Sequence, residues 1–138
     1  MSAIWPVQQA IYARLTSDAQ LMALIDGVYD EVPEARDRPY IAFAEITEKD
    51  DSTHDRRGFE VMVTLNIWSA YRGFGQIGQV LAEVDRVLHR VQLDVDGWHL
   101  ISIARQPAPM QSAGVRRVAA PDIRQGQARF RVWVTEPQ

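Results

Sequence analysis

The residues that could most readily do chemistry are the glycines at a junction between a strand and a helix. Gly73-Phe74-Gly75-Gln76-Ile77-Gly78 spells G-x-G-x-x-G, in which glycines allow a tight turn and a helix N-terminus receives a pyrophosphate. Asp94 or Asp96 lies about 20 residues further on, as in dinucleotide-binding folds. However, residues 68–72 separate the motif from the preceding strand, and the chain is too short for a repeated parallel nucleotide-binding sheet. A nucleotide-binding enzyme is therefore a less favoured alternative to a flexible lead-in to the helix.

Other catalytic and metal-binding patterns fit the sequence poorly. There is no cysteine, which removes disulfides, thiolate nucleophiles and thiolate metal sites, and no serine stands in G-x-S-x-G. The three histidines lack H-x-x-x-H spacing, and the acidic loop at 50–55 lacks the glycine and the distal glutamate of a calcium loop. We expect no catalytic residue, no cofactor and no metal, and hence a protein that is not an enzyme.

Arginine has the most unusual distribution of any residue type. Fourteen of the 15 basic residues are arginine, a bias that suits fixed contacts with carboxylates, phosphates or aromatic rings, and that codon usage explains equally well. The net charge is −3, yet residues 105–134 contain six arginines and one acidic residue. These six are Arg105, Arg116, Arg117, Arg124, Arg129 and Arg131.

The helices that would position these residues are indicated by hydrophobic periodicity. An apolar stripe at helical spacing over 4–15 predicts a first helix, with Ser2 as its cap. A shorter helix is predicted over 17–27, from a capping Ser-Asp pair to a glycine stop. A strongly amphipathic pattern predicts a third helix over 75–91.

Alternating or short apolar runs predict the strands. They lie at 28–32, 40–47, 59–68, 98–105 and 127–134. The connection 49–58 has the length of an extended hairpin loop. The connection 106–122 is longer, and a loop of that length in a small domain usually has a function. The order ααβββαββ predicts a single α+β domain over residues 1–138, with an antiparallel or mixed sheet of about five strands packed by helices.

One face of this sheet is expected to pack on the helices, and the opposite face carries large side chains. Met62 and Trp68 lie there on one strand, and Arg129, Arg131 and Trp133 on another. Solvated sheet faces avoid large aromatics, whereas Trp, Met and Arg are enriched where proteins meet. Either a partner protein or the N-terminal helix is expected to cover this face.

Several segments, taken in order, resemble the tail terminator, or tail completion, family of tailed phages and phage-like gene transfer agents. Residues 28–33 and 38–45 resemble the family's first two strands, and 63–69 with Gly73 resemble its strand-to-helix junction. Residues 126–132 are similar to its closing strand. The resemblance covers nearly the whole chain. It depends on the order and spacing of the motifs, because no single motif is specific to the family.

The resemblance implies a structural virion protein whose subunits form a hexameric ring. The ring would cap the tail tube, stop its polymerisation and join it to the head or neck, with DNA passing through the lumen. The implied partners are further copies of the chain, the tail tube protein, neck or head-completion proteins and, transiently, non-specific DNA. The implied location is the junction of tail and head, after assembly in the bacterial cytoplasm.

The candidate contact residues are Trp68, Trp133 and the six arginines, which would face either a neighbouring subunit or the lumen. A head-tail neck adaptor is the alternative structural role, because the same small architecture would serve it. We expect no membrane partner, since no window approaches the roughly 18 apolar residues of a spanning helix.

Overall fold

The chain folds as a mixed sheet with helices. The computed structural model describes residues 2–31, 39–69, 75–106, 115–117 and 124–137, with the backbone alone at 115–117 and 124. In chain order the elements are α1 (Ile4–Thr16), α2 (Ala19–Met22), β1 (Val28–Tyr29), β2 (Tyr40–Asp50), β3 (Gly58–Ser69), α3 (Gly75–Leu88), β4 (His99–Arg105), β5 (Val115–Arg117) and β6 (Arg124–Thr135).

The sheet follows the order β1-β2-β3-β6-β4, and β5 pairs with β6 off this path. β1 is parallel to β2, and the other pairs are antiparallel. The predicted α+β fold with a mixed sheet of about five strands is confirmed. β5 is an additional three-residue strand inside the predicted connection 106–122, and β2 and β3 extend into the predicted loop 49–58.

Both long helices pack on the same face of the sheet. The alternate residues of β3 from Phe59 to Ile67 are buried in one cluster with Val7 and Ile11 of α1 and with Val80 and Val84 of α3. Residues of α1 also contact α3 directly. The N-terminal helix therefore lies on the core side, and the alternative that it covers the opposite face is wrong.

The start of α1 is held by a side chain from β2. Glu48 Oε1 accepts hydrogen bonds from the backbone N–H of Ala3 at 2.6 Å and from the Ser2 hydroxyl at 3.2 Å. The helix begins at Ile4 with Ala3 in the N-cap position, and Ala3 itself makes no side-chain cap. The predicted Ser2 cap is present, since the Ser2 hydroxyl accepts a hydrogen bond from the backbone N–H of Ile4 at 3.2 Å. The Glu48 carboxylate, distant in sequence, adds to it and suits the positive end of the helix dipole.

The short helix α2 is tied to α3 by an ion pair. Asp18 Oδ1 accepts a hydrogen bond from the backbone N–H of Leu21 at 3.0 Å, which caps α2. Arg86 Nη2 lies 2.7 Å from Asp18 Oδ1 and 2.6 Å from Glu83 Oε2. The hydrogen bond from Arg86, with the one from Leu21, lowers the pKa of Asp18.

A glycine in β6 allows α3 to pack closely on the sheet. A Cβ at Gly126 would lie 2.6 Å from Ile77 Cγ2 of α3, whereas a Cβ at Gly78 would meet nothing within 4 Å. In a dinucleotide-binding fold the last glycine of the motif is the one that allows close packing of helix and strand. Gly78 has no such role here, since it is exposed on α3.

We predict opposite effects for alanine at these two glycines. Gly126→Ala overpacks the contact with Ile77 and should lower the free energy of unfolding by about 1–3 kcal/mol. Gly78→Ala, the matched control, should raise it by roughly 0.5–1 kcal/mol, because alanine favours an exposed helix. Urea denaturation of both variants measures the difference, and equal effects would contradict the packing described.

We also predict that Asp18→Asn changes how stability depends on pH. The pKa of Asp18 lies below its ordinary value of 3.8 in the folded chain, so its ionised form stabilises the fold above that pH. The contribution is lost as the pH falls through the lowered pKa. The variant should be less stable than the wild type near neutral pH, and the two should converge in acid.

Denaturation midpoints recorded from about pH 6 to pH 3 would follow this convergence. Asparagine remains a good N-cap, so the comparison isolates the charge. Arg86→Gln should give the same convergence, because it removes the other partner of the pair. A constant offset between wild type and Asp18→Asn at every pH would contradict the prediction.

Candidate functional site

The face of the sheet opposite the helices is the surface on which the sequence placed most of its candidate residues. We call it the outer face. Directly opposite residues of an antiparallel pair point to the same side, so the register defines its two central rows. They are Glu60, Met62, Thr64, Asn66 and Trp68 of β3, and Trp133, Arg131, Arg129, Gln127 and Gln125 of β6.

The two candidate tryptophans lie at opposite ends of the outer face. Trp133 is opposite Glu60, and Trp68 is opposite Gln125. The eight steps along β3 from residue 60 to residue 68 span roughly 26 Å. The structure therefore does not bring Trp68 and Trp133 together, and a single partner contact would have to extend along the whole strand to use both.

Trp133 is held in place by neighbours within the chain. Its indole N–H donates a hydrogen bond to Asp51 Oδ2, and the guanidinium carbon of Arg131 lies 4.8 Å from the centre of its ring. Arg131 Nε is 3.8 Å from Glu60 Oε1. Such exposed contacts contribute little stability individually, but together they hold a large aromatic side chain in one orientation at the end of the sheet.

Arg129 lies in the middle of the outer face, beside a shallow depression of about 160 Å³. Glu45, Thr47, Met62 and Thr64 form the rest of its wall. The lining is mostly polar and includes the carboxylate-bearing Glu45. This part of the surface suits a contact with a polar protein surface more than a catalytic pocket.

Arg105 lies on the opposite side of the sheet from Arg129 and Arg131. In register it lies opposite Phe130, a core residue, so it belongs to the helix side of the sheet. Its Nη1 is 3.8 Å from Asp85 Oδ1 of α3, and its backbone N–H donates to His89 Nδ1 at 3.0 Å. Arg105 contributes to the attachment of β4 to α3.

Three candidate arginines are described by backbone alone. Arg116 and Arg117 belong to β5 and Arg124 begins β6, and the ladder places positions 117 and 124 opposite each other. Their side chains lie outside the described residues, as do Gly73 and Phe74 of the candidate nucleotide-binding loop.

The described ranges also bear on metal sites and membrane spans. Within them, no group of three or more acidic, histidine or cysteine side chains could hold a metal ion. Across the same residues, no helix is both long and apolar enough to cross a membrane.

Two further surfaces were missed by the sequence reasoning. Trp5 and Tyr12 of α1 are 58% and 46% exposed, and Ile101 of β4 is 51% exposed. Trp5 and Tyr12 are seven positions apart, so helical spacing alone places them on one side of α1. Ile101 lies at a break in register between Leu100 and Ser102, which no alternation pattern indicates.

Comparison with known proteins identifies a family and several similar solved structures. The sequence profile of a family described as tail completion protein gp17 matches residues 9–135. Among solved structures, the chain is similar to a chain from the "virion of native gene transfer agent (GTA) particle", with a TM-score of 0.82 and 26% sequence identity over 93% of each chain. None of the curated proteins matches significantly.

We predict that the hydrogen bond between Trp133 and Asp51 contributes to the free energy of unfolding. Trp133→Phe keeps an aromatic ring beneath Arg131 but removes the donor, and Asp51→Ala removes the acceptor. Each should lower the free energy of unfolding by about 0.5–1.5 kcal/mol. Because both remove the same bond, the double variant should lose less than the sum of the two. Strictly additive losses in urea denaturation would show that the two side chains do not interact.

Proposed function

The chain belongs to the tail completion protein gp17 family, and from this membership we propose that it is a tail terminator. It is a structural protein of a phage-type virion tail. In the proposal, identical subunits close into a ring, hexameric by resemblance to the family, that caps the tail tube and stops its polymerisation. The ring joins the tube to the head or neck, and DNA passes through its lumen.

The observation that carries this proposal is the extent of the likeness. The family match runs from α1 to the end of β6. The structural match covers 93% of this chain and 93% of the virion chain. A shared fold alone would not indicate function. The proposal is supported because the matching family is one of tail completion proteins and the similar solved chain belongs to a virion particle.

The mechanism follows from surface complementarity. The end of a tube presents the surface to which another ring of subunits would add. A capping ring must match that surface on one side and offer a different surface on the other. Growth then stops because the next ring of tube subunits finds no complementary surface, and no covalent chemistry is required.

The outer face supports this role through its composition and order. It carries half-buried tryptophan, methionine and arginine side chains, the types enriched at protein interfaces. The contacts of Trp133 with Asp51 and Arg131 hold its ring in one orientation before any partner binds. Preorganised aromatic side chains reduce the entropy lost on docking, which suits attachment to a tube or neck protein.

The arginines could serve ring contacts or the lumen, and these roles require different energetics. DNA must slide through a lumen, so phosphate contacts there have to be few or weak. Contacts between subunits would instead be fixed pairs with carboxylates. Arg105 and Arg131 already lie near Asp85 and Glu60 of their own chain, which makes the arginines of β5 the more informative ones to test.

Particles made without the protein test the proposal directly. We expect tails of uncontrolled length that are not joined to filled heads, as seen by electron microscopy. A label on the protein should lie at the head-proximal end of the tube in complemented particles. Tails of normal length joined to filled heads in its absence would overturn the proposal. A label confined to the neck, away from the tube end, would indicate an adaptor instead.

We further predict that Arg116 and Arg117 contribute to contacts between subunits. Replacing both with serine should abolish incorporation of the ring into particles. The control is Lys49→Ser with Arg90→Asn, which also removes two charges from exposed positions and places asparagine at a backbone φ of 56° that it tolerates. Intact rings with altered DNA delivery would assign the pair to the lumen.

A further inference from the structure

Two exposed apolar clefts lie outside the outer face. The first, the helix cleft, has a volume of about 430 Å³ and is lined by Trp5, Gln8, Gln9, Tyr12, Asp30 and Phe43. The second, the edge cleft, has a volume of about 330 Å³ and is lined by Arg56, Trp98, His99, Ile101 and Pro137. In the described part of the chain, the large apolar side chains that are exposed all fall in these two clefts. Exposed apolar side chains grouped in this way mark binding surfaces.

The two clefts are on opposite edges of the sheet. The helix cleft lies beside β1 and β2, through Asp30 and Phe43, and the edge cleft is built on β4. Four strand spacings, or roughly 19 Å, separate β1 from β4. Because the clefts are on opposite edges, a two-fold dimer could not bring both clefts of each copy into contact with its partner. A head-to-tail contact uses one edge of each copy and leaves the other edge free for the next copy. Unlike surfaces on opposite edges are what a ring of identical subunits needs.

The contact would be made by side chains and not by addition of a strand. A regular edge strand can template a strand of a neighbouring molecule through its free backbone groups. β4 has a break in its register between Leu100 and Ser102, and such bulges interrupt regular pairing. β1 at the other edge is only two residues long. Ile101, at the break, is instead left exposed for insertion into a neighbour.

The shapes and charges of the two clefts are complementary. Trp5 and Tyr12 are two helical turns apart, or about 10.5 Å along the axis, which leaves room for an aliphatic side chain between them. The helix cleft contains the carboxylate of Asp30, and the edge cleft contains the guanidinium of Arg56. Opposite charges at the rim of an apolar contact favour the correct orientation of the two surfaces.

We propose that the edge cleft of one subunit docks on the helix cleft of the next, with Ile101 inserting between Trp5 and Tyr12 and Arg56 lying near Asp30. This contact between copies of the chain rests on the proposed ring and identifies the surfaces that close it. It is apolar at its centre and charged at its rim, as stable interfaces are. The outer face then stays available for the tube or the neck.

Cysteine cross-linking tests the contact, because the chain has no cysteine of its own. Tyr12→Cys and Ile101→Cys are combined in one chain, which complements particles that lack the protein. Both side chains are exposed, so the variant should fold normally. Mild oxidation should then give a ladder of disulfide-linked multimers on a non-reducing gel. Either single variant should give monomer alone, and so should the control that combines Tyr12→Cys with the exposed Gln79→Cys.

The outcomes separate this contact from the function on which it rests. Particles that carry the labelled protein at the tube end but show no ladder would overturn the contact and leave the terminator role intact. Absence of the labelled wild-type protein from the tail would overturn both the contact and the terminator role. A dimer formed by Tyr12→Cys alone would show a two-fold contact and also contradict the head-to-tail arrangement.

A charge exchange tests the rim independently. Asp30→Arg or Arg56→Asp alone, in the double-cysteine background, should reduce the yield of multimers about tenfold, because each places like charges together. The two exchanges combined should restore most of the yield. Equal yields in all of these chains would show that Asp30 and Arg56 do not face each other.

Discussion

The alternation of β3 is the constraint on which the rest of the structure depends. β3 is paired along its length, with β2 on one side and β6 on the other, so its backbone groups are satisfied and its side chains must divide between two faces. The residues from Phe59 to Ile67 that face the helices are buried. Because that side is apolar along the whole strand, α1 and α3 must share it, and their packing against each other completes a single core.

This one-sided packing determines what can interact with other molecules. With both long helices on one face, the outer face and the two sheet edges are left for contacts outside the subunit. The proposed ring would need several distinct surfaces around one rigid body. The outer face and the two edge clefts are three such surfaces, and the continuous core between them keeps their relative positions constant.

Much of the fold was predictable because its signals are local. The alternation of β3 and β6, the amphipathic α3 and the capping Asp18 were each read from neighbouring residues, and the family resemblance was confirmed by comparison. The short strand β5 was missed, since three residues between prolines carry little periodicity. The cap of α1 by Glu48 was also missed, because it joins residues that are 45 positions apart.

The sequence by itself determined the class of protein: its α+β order, the apolar face of each long element and the family to which it belongs. Those features follow from periodicity and from motifs whose residues are close together in the chain. Only the tertiary structure decided which side chains share a surface. It placed Trp68 and Trp133 at opposite ends of one face, placed Arg105 on the other face, and brought Phe43 of β2 beside Trp5 and Tyr12. Such groupings depend on strand register, on bulges and on the face of the sheet against which α1 packs. All three are determined by long-range packing between residues that are distant in the chain.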